Sequence, residues 1–343
     1  MNRLSLPLSS DNGSPPSNGP LSDTFGRVHK SARISLTDKC NLRCSYCMNE
    51  NASFLPDSIL LGRDDIHKIA KTLVGLGVNR FRLTGGEPLL RKDVISIVSD
   101  IYSISPNIDV SMTTNGIMFN KYAKGLFESG LKRITFSLDT LDRQQFQAIT
   151  RRNFFDQTID AIRDAKKFGW NNIKINSVIT KNCNENQIVP LINFAGSNNY
   201  EIRFIESMPI GDGPWDYSKL VSSQEILSIV ENNFGKLTPL TITASSPAET
   251  WITPQGYVVG VIASVTRPFC SNCDRLRITA DGFVRSCLFA TTETDLKPAL
   301  RPCLNNELLE TLIRSNLWKK EKGHEISTQH FIKPQRTMHS IGG

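Results

Sequence analysis

The chain has 343 residues, 21% of them charged and 39% hydrophobic, with a net charge of +7 and a pI of about 9.0. That length exceeds one small domain and suits a large α/β unit with a smaller companion, and the composition is that of a globular protein, not a disordered or fibrous one. No run of 18 apolar residues occurs, so no membrane span or membrane partner is expected; a charge surplus of this size fits an ordinary basic surface as well as a polyanion site.

The first twenty residues hold five Ser, four Pro, three Asn and two Gly. This composition cannot bury a core and predicts a disordered arm over residues 1–20. With one Arg and no continuous apolar stretch it makes a poor export signal. A cytoplasmic location is therefore expected, with the eight cysteines reduced and the clustered ones acting as metal ligands.

From there, short β-type runs alternate with helical patterns. "ARISLT" (32–37) reads as a strand. "DDIHKIAKTLVGLG" puts Ile66, Ile69, Ala70 and Leu73 on one helical face, with Gly77 at its end. "RFRLTGG" (80–86) is the next strand, with a helix from about Lys92. "DVSMTTNG", "RITFSLD", "NIKINSVI" and "EIRFIES" follow, with helical stretches between them. Six such units predict a parallel sheet with right-handed crossovers. The expected fold is α/β: an incomplete (βα)6 TIM-like barrel over residues 21–240, with a doubly wound open sheet as the rival. Unusual residues cluster at strand C-terminal ends: the cysteine loop, "GGEP", "TTNG", "SLD" and "ESM". Such ends form one face of a parallel sheet, and they reach a common pocket only if the sheet curls. Beyond residue 240 short strands and Pro/Gly punctuation predict a smaller C-terminal module over 241–343.

Cys40, Cys44 and Cys47 form a C-x3-C-x2-C run. A structural zinc site would need a fourth ligand, and His29 and His67 fit no standard finger spacing. The other reading is an iron–sulfur cluster on three thiolates, with one iron open to a non-protein ligand. Cys270, Cys273 and Cys287 form a second triplet, C-x2-C-x13-C, in the C-terminal module. Cys303 would complete a four-thiolate site; otherwise it and Cys183 are plain buried thiols.

The first triplet, with Tyr46 before its last cysteine and "GGEP" one strand later, resembles the radical S-adenosylmethionine (SAM) superfamily. The resemblance implies a [4Fe-4S] cluster whose open iron is chelated by SAM. It implies SAM contacts from Gly86, Ser137, Met208 and the backbone at Tyr46. "DTFGR", "RISLTDKCNLRCSYC", "RLTGGEPLLRKD", "TTNG", "EIRFIESM", "FCSNCDRLRITADG" and the terminal "GG" narrow it to the GTP 3',8-cyclase family, over about residues 21–343. What that family implies is a lyase forming 3',8-cyclo-7,8-dihydro-GTP in the first step of molybdenum cofactor biosynthesis. A second [4Fe-4S] cluster would sit on Cys270, Cys273 and Cys287, its open iron taking the guanine base. Arg33, Arg82, Thr113, Lys174, Arg275 and Arg277 become GTP contacts, with Arg80 and Arg203 as additions near the phosphates. Arg277 and a tail of Gly342 and Gly343 threaded toward the active site become catalytic; a frayed terminus is the ordinary reading of such a tail. An electron-donor protein, a homodimer and a downstream cyclic pyranopterin monophosphate synthase follow as partners. Asp274 departs from the family, which often has Asn there.

The strand faces support an anion. Arg80 and Arg82 share one face, and Lys174 and Arg203 stand opposite the Ile and Phe residues of their strands. Inward cations are costly without anions. Pairing with Asp and Glu, or outward placement, is the plain explanation; a bound triphosphate is the functional one. No G-x4-G-K-[ST] occurs, so no P-loop NTPase is expected. Rival functions are a radical SAM enzyme acting on a peptide, one acting on RNA, and a zinc scaffold. Inward cations argue against a nucleic-acid partner.

Overall fold

The computed structural model describes residues 13–210, 216–240, 245–326, 328 and 331–342. Six strands run parallel and side by side in sequence order: β1 (Ser31–Ser35), β2 (Arg80–Thr84), β3 (Asp109–Thr114), β4 (Arg133–Ser137), β5 (Ile173–Ile179) and β6 (Glu201–Glu206). The helices between and after them are α1 (Arg63–Gly75), α2 (Val94–Ser103), α3 (Phe119–Glu128), α4 (Arg143–Thr150), α5 (Phe155–Asp164), α6 (Ile188–Ser197) and α7 (Ser223–Phe234).

This order decides between the two expected architectures. A doubly wound sheet reverses strand order at a switch point and carries helices on both faces. An unbroken 1-2-3-4-5-6 order with right-handed crossovers sends every helix to the same face. Strand alternation then sorts the side chains. Ala32, Ile34, Phe81, Leu83, Val110, Met112, Ile134, Phe136, Ile173, Ile175, Ile202 and Phe204 are all buried in one continuous hydrophobic core. The opposite face carries Arg33, Arg82, Thr113, Thr135, Lys174, Asn176 and Arg203, all lining a single cavity of about 690 Å³. Six strands lying flat would span roughly 24 Å at the usual inter-strand spacing. Their facing side chains share one cavity because the sheet is curled.

The chain beyond β6 extends this sheet at both edges. Its strands are β7 (Thr238–Leu240), which falls within the expected barrel segment, and, in the expected C-terminal module, β8 (Glu249–Ile252), β9 (Val258–Ile262), β10 (Arg275–Ile278), β11 (Phe283–Arg285) and β12 (Thr294–Asp295). β9 pairs parallel with β6 and carries β8 and β7 beyond it, antiparallel. β10 pairs parallel with β1, with β11 and β12 beyond. Helices α8 (Lys297–Leu300), α9 (Asn306–Trp318) and α10 (Met338–Ile341) complete the chain. Of the predicted arm, residues 1–12 lie outside the described residues. Residues 13–20 run beside α9: Trp318 Nε1 donates to the Gly13 carbonyl at 3.0 Å and Arg314 Nη2 to that of Gly19 at 2.8 Å. No helix among the described residues is long and apolar enough to cross a membrane.

Glu206, at the end of β6, ties the later chain to the barrel. It is completely buried. Its carboxylate accepts from the backbone N–H of Ser223 at 2.7 Å, Val265 at 2.7 Å and Thr266 at 2.9 Å, and from the Thr266 hydroxyl. The first holds the start of α7; the others hold the turn after β9. Glu206→Ala strands four donors, and the two buried ones, Ser223 N and Val265 N, are each worth roughly 1–3 kcal/mol when left unpaired. Urea denaturation of Glu206→Ala is expected to give a loss of about 3 kcal/mol or more.

Candidate active site

Both cysteine triplets open into the same cavity. Its lining includes Cys40, Cys44, Cys47, Cys270, Cys273 and Cys287. It also includes Tyr46, Gly86, Ser137, Met208, Arg33, Arg80, Arg82, Thr113, Lys174, Arg203, Arg275 and Arg277. The expected cluster, SAM and GTP residues all line it; of the terminal glycines, Gly342 is not in that lining and Gly343 lies outside the described residues. Cys183 and Cys303 are not in it either, and both are exposed where burial was expected. Cys40 and Cys270 stand far apart in the chain, and they face one cavity because β10 docks beside β1. Among the described residues no three His, Cys, Asp or Glu side chains close around a point as the ligands of one metal ion do. The thiols of each triplet face the cavity instead.

The first triplet leaves β1 on a loop held by backbone contacts. Gly86 N donates to the Thr37 carbonyl at 2.7 Å and Glu87 N to that of Lys39 at 2.8 Å. A Cβ on Gly85 would lie 2.5 Å from the Thr37 carbonyl oxygen, and one on Gly86 only 2.4 Å from that of Lys39. The two glycines of "GGEP" are thus demanded by the backbone leading into Cys40, whatever a ligand adds. Glu87 is buried, accepting from Asn115 N at 2.8 Å, the Thr114 hydroxyl at 2.7 Å and Leu89 N at 3.1 Å. Burial pushes its carboxyl up to about 7 despite these donors. Asn115 Nδ2 in turn donates to Asn41 Oδ1 at 2.7 Å, beside Cys40. "GGEP" and "TTNG" therefore brace the cysteine loop together. Burial raises the Cys40 thiol to about 11 and the Cys44 thiol well above its ordinary value. Three soft sulfur donors in a tightly framed loop fit an iron–sulfur cluster. Tyr46 donates to Asp139 Oδ2 at 2.8 Å, and Asp139 Oδ1 accepts from Val178 N at 2.8 Å. That bond fixes the aromatic ring beside the loop.

The second triplet has a different electrostatic setting. Burial pushes the Cys273 thiol up, but Arg275 and Lys320 outweigh it and bring it down to about 6. Lys320 Nζ lies 3.6 Å from Cys273 Sγ, and the Arg275 guanidinium stacks 4.5 Å from the Phe269 ring. This donor set also fits an anionic iron–sulfur cluster.

The cations divide into two groups. Arg80 pairs with Asp274, and Arg133 with Asp109. Lys174 and Arg203 share one carboxylate, Glu201. The plain explanation, pairing with acids, thus holds for part of the set, and Asp274 occupies Arg80. Arg33, Arg82, Arg275 and Arg277 have no carboxylate partner among the described residues. Arg82 donates to the Thr113 and Thr135 hydroxyls at 3.1 Å each. Burial, then neighbouring arginines, lower Arg82 and Arg277 to about 9 and Arg33 well below its ordinary value. An arginine in that condition is a site waiting for an anion.

The tail reaches this group. Ile341 is buried in a small apolar cluster with Phe289 and Ile326. Gly342 follows with φ +82°, its carbonyl accepting from Arg277 Nη1 at 2.6 Å. A Cβ there would lie 2.7 Å from Ser35 Cβ and 2.8 Å from Thr84 Oγ1. The glycine therefore lies against the C-terminal ends of β1 and β2. Sequence reasoning did not find Asn115, Asp139, Glu201 or Lys320. Asn115 was legible as part of "TTNG", Asp139 as part of "SLD" and Glu201 as the start of "EIRFIESM"; Lys320 carries no local motif.

The comparisons with known proteins agree with this geometry. The Radical SAM superfamily model matches residues 34–195, and the Molybdenum Cofactor Synthesis C model matches residues 200–326. A GTP 3',8-cyclase of Mycobacterium marinum is 42% identical over 96% of this chain and 93% of its own length. One from Thermodesulfovibrio yellowstonii is 39% identical over 94% of this chain and 100% of its own. Among solved structures, Streptococcus suis SuiB bound to S-adenosylmethionine superposes with a TM-score of 0.60 at 16% identity. That match covers 88% of this chain and 65% of SuiB, and shows the fold alone. By its similarity over nearly its whole length, the chain belongs to the GTP 3',8-cyclase family of the radical SAM superfamily.

Proposed function

We propose that this chain converts GTP to (8S)-3',8-cyclo-7,8-dihydroguanosine 5'-triphosphate, the first step of molybdenum cofactor biosynthesis. The observation that carries the reading is the single cavity holding two cysteine triplets and four arginines, Arg33, Arg82, Arg275 and Arg277, without carboxylate partners among the described residues. Cys40, Cys44 and Cys47 would hold the [4Fe-4S] cluster that SAM completes; when bound, the pair supplies reductive C–S cleavage and a carbon radical able to take the hydrogen from C3' of the ribose. Gly86, Ser137, Met208 and Tyr46 would seat SAM beside that loop. Cys270, Cys273 and Cys287 would hold a second [4Fe-4S] cluster against the guanine base.

The remaining work belongs to the cationic face. Arg33, Arg82 and Arg277 would bind phosphate oxygens, with Thr113 and Thr135 positioning Arg82 through its guanidinium. Lys174 and Arg203 would join by leaving their shared Glu201. Holding both ends of the nucleotide sets which ribose hydrogen faces the radical, and a reactive radical takes the one presented to it. Gly342 would complete the wall beside Arg277. The same reading assigns an electron-donor protein, a cytoplasmic location, a homodimer, and delivery of product to cyclic pyranopterin monophosphate synthase.

The test is 5'-deoxyadenosine formation by protein reconstituted anaerobically with iron and sulfide, then given dithionite and SAM. Strong stimulation by GTP but not ATP is expected; formation indifferent to GTP would overturn the substrate. Arg33→Ala and Arg82→Ala should each raise KM for GTP about 10- to 100-fold, as loss of a charge-assisted contact does, while the visible absorption of the clusters stays. Removing Gly342 and Gly343 should abolish cyclisation and leave iron content unchanged; full activity in the truncated chain would exclude a catalytic tail.

A further inference from the structure

The turn carrying Cys270 and Cys273 is gripped from two distant parts of the chain. Arg27 Nη1 donates to the Cys270 carbonyl at 2.9 Å and to that of Lys322 at 3.0 Å, while its Nη2 donates to that of Glu321 at 2.7 Å. Its Nε is fixed by Asp23 Oδ2 at 2.6 Å, and the same oxygen meets His29 Nε2 at 3.0 Å. Asp23 also accepts from the backbone of Phe25 and Arg27, at 2.9 and 3.1 Å. This is the "DTFGR" segment, for which the cavity gives no direct role: neither Asp23 nor Arg27 lines it.

On the other side, Lys320 Nζ donates to the Arg275 carbonyl at 2.8 Å and lies 3.4 Å from the Cys273 carbonyl and 3.6 Å from Cys273 Sγ. Its residue is 4% exposed, and it has no carboxylate partner among the described residues. The turn following α9 places it, through Lys320 N donating to the Leu317 carbonyl at 2.9 Å. A buried ammonium with no acid beside it is costly, unless the sulfur it faces carries the negative charge.

We infer that Arg27 and Lys320 are positioning residues for the second iron–sulfur cluster: Arg27 fixes the ligand turn, and Lys320 both fixes it and donates to the cluster's cysteine sulfur. The inference rests on the proposed second cluster. The two residues differ in what they do to it. Arg27 reaches only carbonyl oxygens on that turn and its neighbour, so it governs how long the turn holds iron. Lys320 aims N–H at sulfur, and such donors favour the reduced, more negative cluster.

The experiment uses the full chain with Cys40, Cys44 and Cys47 replaced by Ala, so that the second triplet alone can hold iron. Reconstituted protein is titrated with redox mediators and followed by visible absorption and electron paramagnetic resonance; iron loss to a chelator is timed. Failure of this background to take up any cluster would sink the second cluster itself. With a cluster present, Lys320→Met should shift the midpoint negative, lowering the reduced-to-oxidised ratio about tenfold at the parent's midpoint, the size expected for one charge-assisted bond. Lys320→Arg should restore most of the shift. Arg27→Gln should lose iron several-fold faster with the midpoint nearly unmoved. A Lys320→Met midpoint and iron-loss rate equal to the parent's would overturn the role of Lys320, and an Arg27→Gln iron-loss rate equal to the parent's would overturn that of Arg27. Far-ultraviolet circular dichroism of each variant separates these outcomes from misfolding.

Discussion

The site depends on buried positive charge that exceeds the acid available to neutralise it. Eight cations face the inside of the curled sheet or its rim: Arg33, Arg80, Arg82, Arg133, Lys174, Arg203, Arg275 and Arg277. Three carboxylates, Asp109, Glu201 and Asp274, pair with four of them. A protein does not keep such a surplus in a cavity for stability, because desolvated charge opposes folding. The barrel can carry it because all its helices stand on the other face, where a continuous apolar core supplies the stabilisation. The division of labour between the two faces is the condition for the chemistry.

Within the cavity, rigid and exchangeable parts are separated. The cysteine loop is set by backbone against backbone, at Gly85 and Gly86, where no side chain fits. Arg82 is held instead by two neutral hydroxyls, which a phosphate oxygen can replace at little cost. Lys174 and Arg203 share one acid, so that neither is fully satisfied. A cluster needs ligands fixed in advance; a charged substrate needs partners that can be traded.

What the sequence made legible follows the range of the interaction. Strand alternation and helical periodicity are local, and they placed all six parallel strands and the cationic face. The cysteine triplets and "GGEP" are local too. The strand order was not local, yet right-handed crossovers and residues clustered at strand ends narrowed it. The sheet additions by β9 and β10 could not be read, since parallel pairing between strands distant in the chain leaves no spacing signal. Pairings decided by tertiary structure stayed hidden for the same reason: Asp274 meets Arg80 across 194 positions, and Arg27 meets Cys270 across 243.

Asp274 shows how such a pairing changes a residue's meaning. On its strand, Arg80 is equivalent to Arg82: same face, two residues apart, both lining the cavity. Docking β10 beside β1 brings Asp274 to Arg80 and leaves Arg82 with hydroxyls only. A phosphate approaching Arg80 must therefore displace a carboxylate, whereas one approaching Arg82 displaces neutral oxygen. Two arginines that alternation alone cannot tell apart are thus unequal as anion ligands, and Arg82, with Arg33 and Arg277 beside it in register across β2, β1 and β10, offers an anion the stronger centre.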